Sequence, residues 1–163
     1  VVRGMPLLML IFWAYFVVPK LTGQVVSGFW TLIFALVVYE SAYLSEVIRS
    51  GIEAVPRGQI EASRSLGVGY WTTMRKVVLP QALFNVLPSM TSQFVSTIKE
   101  TSLGYVISVN ELTFAANQVN NLVLTQPLQV FGILAIIYFL VCFSLSRGLS
   151  WLDLRIRRSR AMA

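Results

Sequence analysis

The sequence predicts an all-α membrane protein with about four membrane-spanning helices. Hydrophobic residues make up 56% of its 163 positions and charged residues 12%, and the mean hydropathy is +0.70. Soluble domains are usually more polar. Backbone amides in lipid must be hydrogen-bonded within the protein, and the apolar runs lack the polar/apolar alternation of a barrel strand, so helices are favoured. There are four charge-free stretches, and several of them approach or exceed the ~20 residues that a spanning helix needs: residues 5–19, 21–39, 77–98 and 112–146.

These stretches divide the chain into four segments. Residues 1–48 hold two predicted spans with an external connection, and residues 49–80 form a polar cytoplasmic loop. Residues 81–147 hold two more spans with a polar external segment, and residues 148–163 form a basic cytoplasmic tail. Residues 118–129, rich in Asn and Gln, are expected to be a short external connection before the last span.

The positive charges support this orientation. If the 49–80 loop is cytoplasmic and four spans alternate across the membrane, 11 of the 13 lysines and arginines lie on the cytoplasmic side, and only Lys20 and Lys99 do not. This asymmetry follows the positive-inside rule. In the tail, an interfacial helix contacting anionic lipid is favoured over nucleic-acid binding, because aromatic residues are not interleaved with the charges. The tail residues concerned are Trp151, Arg155, Arg157, Arg158 and Arg160.

The sequence gives little support for a catalytic site or a metal site. The chain has no histidine and a single cysteine, Cys142, which excludes an internal disulfide and disfavours a zinc or haem site built on Cys and His. None of its three lysines follows a glycine, as the lysine of a Walker A loop does. We therefore expect no catalytic residues, no metal and no cofactor on this chain.

The 49–80 loop is too long for a simple turn. Its pattern predicts two short helices, the first ending at Gly67 in a left-handed conformation and the second capped by Thr72. Ala62 and Leu66 lie four residues apart and form a small apolar strip on the first helix. Such a surface suits a protein groove, although an amphipathic loop lying on lipid headgroups is the alternative.

The spacing within this loop matches a known signature. The residues are Glu61-Ala62-Ser63, three further residues, Gly67, nine residues, Val77, one residue and Leu79-Pro80. The pattern resembles the EAA motif of bacterial ABC-importer permeases, although that family usually has alanine at position 63 and often isoleucine at position 77. The resemblance implies a MetI-like type I permease bundle.

That family resemblance assigns roles within the loop. It implies a coupling helix that docks into a groove of a separate ATPase subunit. Glu61 would supply a charged contact, Gly67 the turn between the short helices, and Pro80 the entrance to the next span. ATP and Mg²⁺ would be bound by the partner ATPase.

Further blocks resemble the polar-amino-acid permeases. Members of that subfamily usually have one more span before the first block, so we expect an N-terminal helix to be missing. The resemblance implies a multi-pass protein of the bacterial inner membrane that pairs with a second permease subunit, identical or homologous, and receives solute from an extracytoplasmic binding protein. The blocks are residues 3–8, 42–43 with Glu46, 49–52, 56–59 and 99–103.

Ionisable residues inside spans need a partner, an interface or a substrate. Glu40, with Ser41 and Tyr43 nearby, is expected to face either a substrate cavity or another intramembrane residue. Glu46 lies three residues before Arg49, and a local ion pair is the simpler explanation.

The group Lys99-Glu100-Thr101-Ser102 lies at the far end of the third span. Lys99 could extend to the membrane interface. Alternatively, the four side chains offer the charges and hydroxyls that an amino acid requires, next to a possible helix break. In the resembled family this block lines the transport pathway and contacts substrate in some members.

Three functions are compared. The preferred one is an importer permease for polar amino acids, energised by a partner ATPase. An ion-coupled carrier could use Glu40 and Lys99 directly, but no inverted repeat is evident. A non-transporting scaffold would leave the polar intramembrane residues unexplained.

Overall fold

The structure, a computed structural model, describes the backbone of residues 2–161 and the side chains of residues 2–155. The predicted tail residues Arg157, Arg158 and Arg160 lie outside the described side chains. All the described elements are helical, which confirms the predicted all-α class. They are α1 (Leu7–Phe12), α2 (Val18–Thr22), α3 (Gly28–Glu53), α4 (Arg57–Ser65), α5 (Tyr70–Thr73), α6 (Leu79–Glu100), α7 (Leu112–Val123) and α8 (Pro127–Ala161), with 3-10 helices at Val2–Gly4 and Thr101–Ile107.

Two π-helical turns join short helices into longer ones. Trp13–Val17 connects α1 with α2, and Met74–Val78 connects α5 with α6. Each is followed within two residues by a proline, Pro19 or Pro80. Proline lacks an amide hydrogen and collides with the carbonyl four residues earlier, and a wider turn relieves that conflict.

Among the described residues, two helices are long and apolar enough to cross a membrane. They are α3, with 26 residues, and the Pro127–Arg155 part of α8, with 29 residues. The apolar helix Leu7–Thr22 is shorter than the ~20 residues of a typical span. Helix α6 has 22 residues but is interrupted by polar side chains. The count of four spans stays a prediction.

One local expectation stays a prediction and another was wrong. Most of residues 118–129 is helical, because α7 continues to Val123 and α8 begins at Pro127, with a turn at Leu124, where φ is +52°; an external connection there stays a prediction. Glu111 caps the start of α7, so the Asn- and Gln-rich segment continues a helix already begun. Thr72 does not cap the second loop helix, which begins at Tyr70 after extended Gly69 and leads through the π turn into α6.

The chain forms two compact units. The first comprises residues up to Ala42 together with Phe94–Ser146, and the second comprises Tyr43–Gln93 and the residues from Arg147 onwards. The core of the first unit is small, as expected where lipid rather than protein covers many apolar side chains. It contains Leu7, Ile11, Leu32, Ala35, Ile107 and Val109.

The core of the second unit supports the loop between α3 and α6. Val55, Val78 and Ala82 are buried there. Ile60 of α4 packs against this cluster, together with Ile52 and Met74. The loop is therefore stabilised by packing against these apolar side chains, and not only by its connections to α3 and α6.

Candidate functional site

Helix α4 is the exposed part of the loop that carries the EAA-like residues. It begins after Pro56, which is extended, and it ends at Ser65. Near the end of α3, Arg49 forms ion pairs with Glu46 and Glu53. The local pair predicted between Glu46 and Arg49 is therefore confirmed. The 49–53 part of the predicted loop thus belongs to α3.

A left-handed glycine ends α4, as predicted. Gly67 has φ +75°. Its amide donates to the carbonyl of Arg64 at 2.9 Å, and the amide of Val68 donates to the carbonyl of Ser63 at 3.2 Å. This pair of bonds is a Schellman motif, which satisfies carbonyls that the helix end would leave free. Gly67 therefore sets the angle between α4 and the next helix.

The first three residues of the signature do not share one surface. Glu61 and Ala62 are exposed, whereas Ser63 is buried. The Ser63 hydroxyl lies 2.8 Å from that of Thr73 in α5. Thr73 also donates to the carbonyl of Val68 at 3.5 Å. Ser63 is therefore positioned to fix α4 against α5 and not to touch a docked protein directly.

The hydroxyl pair gives a testable coupling energy. Ser63→Ala and Thr73→Val are each expected to destabilise the protein by about 1 kcal/mol, because each leaves one buried hydroxyl with fewer partners. The double variant should lose less than the sum, since neither hydroxyl remains. Thermal unfolding of the purified protein in detergent measures all three, with Ser65→Ala on the exposed face as the control. Strictly additive losses would contradict a direct bond.

The last two signature residues lie at the start of α6. Leu79 is 45% exposed, and Pro80 follows the π turn Met74–Val78. In the next position, the Gln81 side-chain amide donates to the Gln59 side chain in α4. The start of α6 is thereby bonded directly to α4.

A polar cluster lies inside the first unit. Thr97 donates from its hydroxyl to Glu40 at 2.7 Å, and the carboxyl groups of Glu40 and Glu100 contact each other. One oxygen of Glu100 is buried without a hydrogen-bond partner among the described residues. Glu40 thus meets another intramembrane residue, one of the two alternatives predicted for it.

The other predicted pathway residues differ in exposure. Lys99 is exposed, and Ser41 is exposed next to Glu40 on α3. Tyr43 is partly buried. The predicted helix break is present, because α6 ends at Glu100 and a 3-10 helix begins at Thr101.

The hydroxyls of this break bond to their own backbone. Thr101 donates to the carbonyl of Ile98 at 2.7 Å, and Ser102 donates to that of Lys99 at 2.6 Å. Thr97 was missed in the sequence analysis, although it lies three residues before Glu100 and so on the same helical face. Within the described residues, no three His, Cys, Asp or Glu side chains group in a way that could hold a metal.

Comparison with known proteins decides the family. A model of binding-protein-dependent transport system inner membrane components matches residues 1–158. The chain belongs to this family. It is therefore a transport component of the inner membrane, and the resemblance drawn from the loop signature is confirmed.

Several curated members are similar to this chain. It is 40% identical to the probable glutamine ABC transporter permease protein GlnP of Bacillus subtilis over 94% of its own length and 71% of that protein. It is 33% identical to the inner membrane amino-acid ABC transporter permease protein YhdY of Escherichia coli, over 97% of its length and 44% of that protein.

Solved structures agree on the fold of this inner membrane component. An amino acid ABC transporter crystallised with histidines superposes with a TM-score of 0.89 at 35% identity, covering 94% of this chain and 71% of the other. An inward-facing form of the MetNI methionine ABC transporter superposes with a TM-score of 0.67 at 23% identity, over 91% of this chain and 69% of the other. The type I permease fold predicted from the loop is confirmed.

Proposed function

We propose that this chain is the permease subunit of an ATP-binding-cassette importer for polar amino acids. The observation that carries the proposal is the exposed helix α4, which presents Glu61 and Ala62 on a supported loop at the spacing of the EAA signature. The similar proteins support the same class, since GlnP and YhdY are named as glutamine and amino-acid ABC transporter permeases.

The partners follow from this proposal. An ABC ATPase subunit that binds ATP and Mg²⁺ docks on α4, and a second permease subunit completes the pathway. An extracytoplasmic binding protein delivers the solute. The distribution of positive charge supports a cytoplasmic location for the 49–80 loop and for the C-terminal tail.

The transport pathway is proposed to pass the helix break after α6. Lys99, Glu100, Thr101 and Ser102 lie at this break, and Glu40 contacts Glu100. Discontinuous helices beside polar and charged groups are typical of substrate sites in transporters, and here an α-helix gives way to a 3-10 helix. The contact between two carboxyl groups favours a solute whose ammonium group can bind there, which every amino acid provides.

Coupling is tested by removing the exposed carboxylate of α4. Glu61→Ala is expected to lower ATP-driven uptake about tenfold, because a charged contact across an interface is lost. The measurement is uptake of labelled glutamine, arginine and glutamate into vesicles that contain the complete importer, with and without ATP. Glu53→Ala is the control for an exposed carboxylate outside α4; because Glu53 pairs with Arg49, the unfolding temperature of this variant is measured as well.

The outcomes separate the three function classes. Uptake that requires ATP and fails in Glu61→Ala supports the importer. Uptake that does not require ATP and is unchanged in Glu61→Ala favours an ion-coupled carrier. Absence of uptake, with retained binding of a soluble partner to the loop, favours a scaffold.

A further inference from the structure

The second short helix of the loop, α5, begins with two exposed aromatic residues. Tyr70 is 55% exposed and Trp71 is 80% exposed. Their rings meet edge to face, with centroids 5.3 Å apart. Both side chains have a large apolar ring and one polar group, so leaving them in water is unfavourable. The pair therefore indicates a surface that another molecule covers.

Two positive charges follow the aromatic pair on the same side of the helix. Arg75 and Lys76 lie four and five residues after Trp71 and are exposed, whereas Thr73 and Val78 between and beyond them are buried. Neither Arg75 nor Lys76 makes an ion pair with any residue that the structure describes. The exposed face of this helix therefore offers two cations for an anionic partner.

The exposed face continues directly into the apolar helix α6. The π-helical turn Met74–Val78 joins α5 to α6, and Leu79 and Leu83 are exposed beyond it. Residues 77–98 carry no charge. One continuous helix thus presents aromatic rings, then cations, then apolar side chains. Tryptophan, tyrosine and basic residues flank the apolar part of a helix in this way at the headgroup level of a membrane.

The chemistry of α5 differs from that of α4, for which an ATPase groove is proposed. None of the nine residues of α4 is aromatic, and its exposed face carries Glu61 and Ala62. An aromatic ring with a polar tip suits the boundary between headgroups and acyl chains, where one end is apolar and the other is wet. Basic side chains next to an anionic lipid surface add electrostatic attraction. These features favour lipid rather than a protein groove as the partner of α5.

We propose that the α5 face, formed by Tyr70, Trp71, Arg75 and Lys76, is a docking surface for the headgroups of anionic phospholipids. The cations bind lipid phosphates, and the rings lie among the headgroups. Interfacial anchors of this kind set the depth and tilt of a membrane helix, here α6. The inference goes beyond the proposed function and does not depend on it, because lipid binding requires neither solute nor ATP.

Quenching by lipid tests the docking surface. Thr72 is exposed next to Trp71, and Ser65 is exposed on α4. Thr72→Cys or Ser65→Cys, each in a Cys142→Ala background, is labelled with a fluorophore in the full-length protein. Nanodiscs supply phosphatidylglycerol and a lipid with a spin-labelled headgroup that quenches nearby fluorophores. Quenching is expected to be about threefold stronger at position 72 than at position 65. Equal or weaker quenching at position 72 would overturn the proposal.

The charge of the lipid provides a second test. In nanodiscs of phosphatidylcholine, which has no net charge, quenching at position 72 should fall about twofold. Arg75→Gln combined with Lys76→Gln should remove this dependence on lipid charge. Arg57→Gln combined with Arg64→Gln is the matched control, since both arginines are exposed on α4, and it should keep the dependence. The opposite result for the two pairs would contradict the assignment of the cations.

The partner ATPase is the alternative occupant of the α5 face. Adding it to the same nanodiscs should leave lipid quenching at position 72 unchanged and protect position 65 from aqueous iodide. Loss of lipid quenching at position 72 on ATPase binding would overturn the proposal and assign the α5 face to the ATPase. If the ATPase does not bind at all, the proposed function fails, whereas strong quenching at position 72 alone would still establish the lipid contact.

Discussion

Gly51→Ala is expected to destabilise the second unit by about 1–3 kcal/mol, because the new methyl group has no space. A Cβ at position 51 would overlap the side chain of Val86 and lie 3.1 Å from the carbonyl oxygen of Ala82. Asn85 donates to the Gly51 carbonyl at 3.3 Å in the same contact, so α3 and α6 approach closely at this glycine. Thermal unfolding in detergent and the yield of assembled complex measure the effect.

Two further variants make this prediction specific. Val86→Ala combined with Gly51→Ala should recover part of the lost stability, because the nearest overlapping atoms belong to the Val86 side chain. Gly132→Ala is the matched control, since nothing lies within 4 Å of a Cβ there and alanine favours the helix. Equal unfolding temperatures for Gly51→Ala and Gly132→Ala would refute the close helix contact.

Features that depend on nearby residues were predictable from the sequence. The left-handed Gly67, the Glu46–Arg49 ion pair and the helix break at Glu100 each arise from interactions within about one helical turn. Helical periodicity and residue chemistry are sufficient for such features. The all-α membrane class followed for the same reason, because it depends on composition and run length.

Contacts between distant residues were not predictable. Thr97 and Glu40 are 57 positions apart, and Tyr138 and Glu111 are 27 apart. Their contact depends on how the helices pack against each other. Helix packing cannot be predicted from local patterns in a single sequence. The same limit applies to Ser63. A serine is compatible with an exposed position in the signature, and only the structure shows that Ser63 is buried against Thr73.

The burial of Ser63 changes how the loop signature is interpreted. A signature residue can serve docking by its own surface, as the exposed Glu61 and Ala62 can, or by holding that surface in place. Ser63 and Gly67 act in the second way, one through its hydroxyl and the other through its backbone. Coupling should therefore be sensitive to the shape of the loop as well as to its charges.

Substitutions at Gly67 should rank by their tolerance of positive φ. Gly67→Asn is expected to keep most ATP-driven uptake, because Asn enters the left-handed region at low cost. Gly67→Ala should lower stability by about 1 kcal/mol and reduce uptake moderately. Gly67→Pro should abolish uptake, because proline cannot adopt φ +75° and lacks the amide that donates to Arg64.

The proline variant also distinguishes loop shape from global folding. Nothing lies within 4 Å of a Cβ at Gly67, so neither Asn nor Ala meets a steric clash there and only the backbone conformation is tested. The membrane helices should stay folded in Gly67→Pro, since the strain falls on the exposed end of α4. Circular dichroism should then remain helical while co-purification of the ATPase is lost. Normal uptake and normal ATPase retention in Gly67→Pro would show that the angle set by Gly67 is unnecessary, and the coupling role of α4 would have to be abandoned.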